Sequence, residues 1–127
     1  MKTTDRSAIR PRRSFLFVPG TGLEMFPKAL AAGPDIICID LEDAIAPQHK
    51  AAARDATLGL FSTLAEPNDD SELLVRINAL NTADGLADVL AVLASDKPPP
   101  GLMLPKIKSP DEVRLLDELL DDVGHSI

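Results

Sequence analysis

Four short apolar runs, each followed by a longer amphipathic stretch, constrain this chain more than any other feature. The runs are residues 14–19 (SFLFVP), 35–41 (DIICIDL), 72–78 (ELLVRIN) and 101–105 (GLMLP). Each is nearly continuous in apolar residues, which predicts strands covered on both faces. Strand then helix, four times over, predicts an α/β fold with a parallel sheet, because parallel neighbours need a crossover helix. An eightfold barrel takes about 250 residues. Four units in 127 residues therefore make either a small open sheet or half of such a barrel. In both, reactive side chains belong at the carboxyl ends of the strands.

The helices have named start and stop signals. Thr21 and Glu24 predict a capping box ahead of a helix over residues 23–32, which Gly33-Pro34 ends. Pro47 opens the second helix, running from Ala51 to Leu64, and the third covers residues 85–94. Ser109, Pro110 and Glu112 form a second box, opening a helix through Val113, Leu116, Leu119 and Leu120. Residues 67–71 and the proline run 97–100 are loops, too short to separate two domains.

Charge narrows the partners. Thirteen Lys and Arg against twenty Asp and Glu leave −7, which disfavours nucleic acid and anionic membranes. The balance is uneven: Lys2, Arg6, Arg10, Arg12 and Arg13 against Asp5 give the first thirteen residues +4 and the remainder −11. A local anion site near the start is compatible with that. The four aromatics, all Phe, argue against stacking platforms. A single cysteine, Cys38, cannot make an internal disulfide, and no apolar stretch approaches the roughly 18 residues of a membrane helix. A cytoplasmic protein is expected.

Strand ends hold the candidate chemistry. The first runs into Pro19-Gly20-Thr21-Gly22, a turn feeding a helix amino terminus, where free amides favour an anion and Lys28 could add charge; a plain tight turn with a solvated lysine is the alternative. The second ends in Asp40-Leu41-Glu42-Asp43. Alternation puts Asp40 and Glu42 on one side, able to share a cation or divide as acid and base, with capping and loop solvation as the alternative. In the third, Arg76 interrupts Leu73, Leu74, Val75 and Ile77, and a buried guanidinium needs an anion: a bound carboxylate, or a structural pair with Asp40 or Glu42. Lys106 sits just past the fourth strand. His49 and His125 have no ligand-spaced companions, so zinc is unsupported. Lys50 and Arg54 share a helix face and are expected to be solvated or paired with nearby acids.

These stretches, taken together and in order, resemble the citrate lyase beta subunit and malyl-CoA lyase group of the HpcH/HpaI aldolase superfamily. The matching segments are RSFLFVPG (13–20), Lys28-Ala29, DIICIDLEDAIAP (35–47), KAAAR (50–54), VRIN (75–78) and Pro105-Lys106. The resemblance implies a (β/α)8 TIM barrel of which the chain supplies about the first four β/α units, residues 14–127, behind a basic extension over 1–13. It implies Mg2+-dependent carbon–carbon cleavage of a malyl-, citramalyl- or citryl-type CoA or acyl-carrier thioester to an acyl thioester and a 2-oxo acid, in a homo-oligomer, trimer or hexamer. By matched position it implies that Arg76 binds the oxo acid and stabilises developing charge. Phe17, Pro19, Gly20 and Lys28, with Lys106, would line the thioester arm and substrate. Asp40, Glu42 and Asp43 would form an acidic rim near the metal's waters, with the direct Mg2+ ligands following the fifth and sixth strands, beyond Ile127. Many relatives carry an arginine soon after the P-G turn, where Gly22, Leu23 and Glu24 stand here. Thioester hydrolysis, or aldol chemistry on free 2-oxo acids, is the near alternative; a non-catalytic half barrel that binds a partner chain or a CoA-like anion is the distant one.

Overall fold

The computed structural model describes residues 9–64 and 71–127. Four strands, β1 (Phe15–Pro19), β2 (Ile36–Asp40), β3 (Glu72–Arg76) and β4 (Leu102–Met103), alternate with four helices, α1 (Phe26–Ala32), α2 (Lys50–Thr63), α3 (Ala83–Ala94) and α4 (Pro110–Asp122). The strands form one parallel sheet in the order β1-β2-β3-β4.

Register decides which side chains meet. Phe17, Cys38 and Leu74 lie abreast, as do Pro19, Asp40 and Arg76, with Met103 beside Arg76. Partners in a parallel ladder point to the same face, so Phe17, Asp40 and Arg76 share one face while Val18, Ile39 and Val75 share the other. The second face carries the core, where Ile37, Ile39, Val75 and Ile77 pack with Phe26, Phe61, Val89, Leu116 and Leu120 from the helices. Each such side chain, fully buried, contributes about 1.5–3 kcal/mol.

Three expectations need correction. β1 is not covered on both faces: Phe15, Leu16 and Phe17 are 41%, 38% and 44% exposed, because β1 is an edge strand and the face opposite the helices is open. The Thr21–Glu24 capping box does not form. The cap is Gly22, and residues 23–25 make a 3-10 turn before α1 begins. The cause is Pro27, which lacks the N–H that an α-helix starting at Leu23 would bond to the Leu23 carbonyl. β4 shortens to two residues, held by the Val75 amide on Gly101 and the Ile77 amide on Met103, between prolines that offer no amide.

Other signals hold. Gly33 ends α1 with φ 69°. A 3-10 turn at Pro47–His49 leads into α2. The Ser109 hydroxyl accepts from the Asp111 amide at 3.2 Å, and Glu112 accepts from the Ser109 amide at 3.0 Å. α3 starts two residues earlier than expected, capped by the Thr82 hydroxyl on the Gly85 amide. Of the 67–71 loop, residues 67–70 lie outside the described residues. No helix among the described residues is long and apolar enough to cross a membrane.

Candidate functional site

Asp40, the last residue of β2, is 1% exposed. The chain turns back over it, so that the Glu42 amide donates to Oδ1 at 2.9 Å and the Ala44 amide to Oδ2 at 3.0 Å. Arg76 ends β3 directly opposite and donates from Nε to Oδ1 at 2.9 Å and from Nη2 to Oδ2 at 2.7 Å. Planar fork meets planar carboxylate, the strongest arrangement open to such a pair. The Phe17 ring lies against the guanidinium, 4.7 Å from Cζ to the ring centroid, and Phe15 supports that ring at 4.8 Å. Nη1 has no partner among the described residues. Arg76 is thus a fixed cation with one donor edge left over.

The acidic turn continues beside it. Glu42, 5% exposed, places Oε1 3.6 Å from Arg76 Nε and Oε2 3.0 Å from the Lys106 ammonium, although Oε2 accepts no well-aligned hydrogen bond. Lys106 also reaches the exposed Asp43 at 3.5 Å. Its backbone stands at φ 51°, an uncommon conformation for a side-chain-bearing residue. A pocket of about 230 Å³ opens here, lined by Glu42, Asp43, Lys50, Asn78, Thr82 and Lys106 among others.

Charge states follow from these contacts. Burial pushes the Asp40 carboxyl up, but the Arg76 side chain and the two turn amides outweigh it and hold it below the ordinary carboxylate range. The hydrogen bond to Asp40 raises Arg76 in turn, and Glu42 raises Lys106. Cys38, buried on the strand before Asp40, is pushed up to about 12 by its burial, so the thiol is an inert core group.

Six of the residues singled out in the sequence therefore converge: Phe17, Asp40, Glu42, Asp43, Arg76 and Lys106. Pro19 lies abreast of Asp40, and the Gly20 amide donates to the Asp40 carbonyl at 2.9 Å, so this turn frames the site. Beside it lies a second pocket, of about 340 Å³, lined by Gly20, Thr21, Leu23, Glu24, Ala52 and Ala53 among others. Lys28 stands exposed on α1 and makes none of these contacts.

The expectation of an anion site at the basic start is corrected for Arg12 and Arg13. Arg12 binds Glu72 at 2.8 and 2.9 Å and Arg13 binds Asp35 at 3.1 and 3.2 Å, both at the amino ends of the strands. Lys2, Asp5 and Arg6 lie outside the described residues.

Behind the site lies a polar layer in which Arg54 pairs with acids as expected, while the expectation of a solvated or acid-paired Lys50 is corrected, its partners being neutral oxygens. Lys50 donates to the carbonyls of Leu41 and Glu42 and to Asn78 Oδ1, and Asn78 donates to Asp88, which accepts from Arg54. The only forewarning was the four-residue spacing of Lys50 and Arg54. No three His, Cys, Asp or Glu side chains among the described residues converge as metal ligands, and both Asp40 oxygens are committed to Arg76 and the turn amides.

Comparison with known proteins identifies the family. An L-malyl-CoA/beta-methylmalyl-CoA lyase of Cereibacter sphaeroides is 36% identical over 113 residues, 87% of this chain and 35% of that protein. A (3S)-malyl-CoA thioesterase of the same species is 34% identical, over 89% of this chain and 38% of that one. The M. tuberculosis citrate lyase beta subunit, solved with oxaloacetate and magnesium, superposes with a TM-score of 0.64 at 38% identity, over 83% of this chain and 44% of that one. The chain thus spans less than half the length of these relatives. The family model for HpcH/HpaI aldolase/citrate lyase matches residues 13–126, and the chain belongs to that family.

Proposed function

We propose that the chain forms the amino-terminal half, residues 14–127, of a (β/α)8 barrel behind a basic extension over 1–13, and that it binds the 2-oxo acid in a carbon–carbon lyase. The substrate is a 3-hydroxyacyl thioester of malyl, citramalyl or citryl type on CoA or an acyl carrier. The carrying observation is Arg76, clamped by Asp40 and Phe17 at a strand's carboxyl end with a donor edge free.

In the cleavage direction the substrate hydroxyl loses its proton to a base and becomes the carbonyl of the oxo acid. The carbon–carbon electron pair passes into the thioester as an enolate, which then takes up a proton. Arg76 pairs with the carboxylate and steadies negative charge on the adjacent oxygen, an interaction that needs no reorganisation because Asp40 already holds the guanidinium. Glu42 and Asp43 form the acidic rim and Lys106 balances it. Phe17, Pro19, Gly20 and Lys28 line the thioester arm. Mg2+, present in the solved relative, supplies charge neutralisation in such reactions. The described side chains do not fit it as direct ligands, so its carboxylates come from elsewhere in a complete site, with Asp40 and Glu42 near its waters. A cytoplasmic homo-oligomer completes the proposal.

Incubation of the complete barrel with Mg2+ and each thioester, followed by product separation, tests this. Acyl-CoA plus a 2-oxo acid supports the lyase, and free CoA plus a hydroxy acid assigns a thioesterase instead. Turnover of none of them rejects both. The open face of β1 favours a second reading in that event, a non-catalytic half barrel that binds a partner chain or a CoA-like anion.

A further inference from the structure

We propose that Lys50 is a positioning residue, holding the acidic turn in register with Arg76. The proposal rests on the lyase reading for what Arg76 binds, but its geometry stands without it. Lys50 begins α2, and its ammonium reaches back to the Leu41 carbonyl at 3.1 Å, the Glu42 carbonyl at 2.8 Å and Asn78 Oδ1 at 2.6 Å. Three donors meet three acceptors. The Leu41 carbonyl belongs to the same peptide plane as the Glu42 amide that donates to Asp40 Oδ1, so fixing one end of that rigid plane aims the other.

The third acceptor is itself fixed. Asn78, 4% exposed, donates from its backbone and side-chain nitrogens to Asp88 Oδ2 at 2.8 and 2.7 Å. Asp88, 1% exposed, accepts from Arg54 Nε at 2.7 Å. Arg54 is one turn beyond Lys50 on α2, so α2 and α3 together brace the ends of β2 and β3. No carboxylate oxygen among the described residues lies within salt-bridge distance of Lys50, whose partners are all neutral oxygens, and its charge stays directed at the turn that bears Glu42 and Asp43. The cation therefore orders the turn's backbone rather than neutralising one acid.

Hydrogen exchange and Arg Nε–H NMR on the labelled chain, comparing wild type with Lys50→Met, test this. The Glu42 and Ala44 amides are expected to exchange about tenfold faster, and the Arg76 Nε–H resonance to move upfield, while Ile37 and Ile39 keep their protection. Equal acceleration at all four amides, or none at the turn, overturns the proposal. Should Lys50→Met fail to fold, Lys50→Gln, which keeps two N–H donors but no charge, gives the same comparison. Oxaloacetate binding by the complete barrel in Mg2+ buffer adds a second readout, expected to weaken about tenfold in Lys50→Met and to be unchanged in Lys108→Met. Unchanged binding in Lys50→Met overturns the positioning role. Failure of the wild type to bind counts against the lyase reading, and the exchange pattern then decides the role of Lys50.

Discussion

Arg76 and Asp40 stand opposite one another at the ends of neighbouring parallel strands and share two hydrogen bonds, of 2.9 and 2.7 Å. A structural ion pair and an anion-binding arginine were competing readings of the sequence, and the geometry establishes the ion pair. Asp40 takes Nε and Nη2 and leaves Nη1 without a partner among the described residues, so under the proposed function the structural pair would orient the binding group.

Replacing Arg76 separates charge from fork. Arg76→Lys keeps a cation but loses the bidentate geometry, and is expected to reduce turnover in the proposed reaction by about 100-fold or more with the fold retained. Arg76→Ala also strands Asp40, buried and charged, at a cost of about 3–5 kcal/mol. Steady-state rates beside thermal melting distinguish these effects. Turnover unchanged in Arg76→Lys would remove Arg76 from the chemistry.

Acid should loosen the opposite end of the sheet. Hydrogen bonds from the Arg13 side chain and backbone hold Asp35 at about 2, against an ordinary value of 3.8. The folded value is the lower one, so this stabilisation is complete above about pH 4 and is lost as pH falls towards 2. Asp35→Asn is expected to flatten the pH dependence of the melting temperature across that window. Arg13 is well exposed, so added salt should shrink the wild-type effect. An identical slope in the variant would assign the acid sensitivity to other carboxylates.

Gly85 illustrates what packing demands of α3. A Cβ there would sit 1.8 Å from the Ala79 carbonyl oxygen, where the loop after β3 passes the first turn of the helix. Gly85→Ala is expected to cost about 3 kcal/mol, the upper end of overpacking penalties. Gly59, mid-helix in α2, has nothing within 4 Å of its Cβ position, so Gly59→Ala should stabilise by about 0.5–1 kcal/mol. Urea titrations of the two variants should move the midpoint in opposite directions.

The legible parts of this molecule are those governed by local chemistry. The runs around Ile37–Ile39 and Leu73–Val75 announced strands because burial there leaves little room for polar residues. Ser109 and Glu112 announced a helix start because the box closes within four residues. Asp40 and Arg76 were legible as charges that an apolar strand must accommodate. What stayed hidden depends on distance in sequence. The Lys50–Asn78 bond joins residues 28 apart, and the Arg54–Asp88 bond joins residues 34 apart, so neither pairing has a local pattern. The failed Thr21–Glu24 box was legible in principle, since Pro27 denies the helix the bond to the Leu23 carbonyl.

The outer edge of β1 gives the last prediction. β1 pairs only with β2 among the described residues, and Leu16 is 38% exposed beside it. An unpaired apolar edge is a template for association with other chains. Phe17 contributes to the same exposure but touches Arg76, so changing it would confound association with the site. Leu16 points to the opposite face, because side chains alternate along the strand. Leu16→Lys should therefore lower self-association in light scattering while leaving the Arg76 Nε–H resonance in place. A variant that associates as strongly as wild type would shift the liability to the exposed Leu115, Leu119 and Val123 on and just beyond α4.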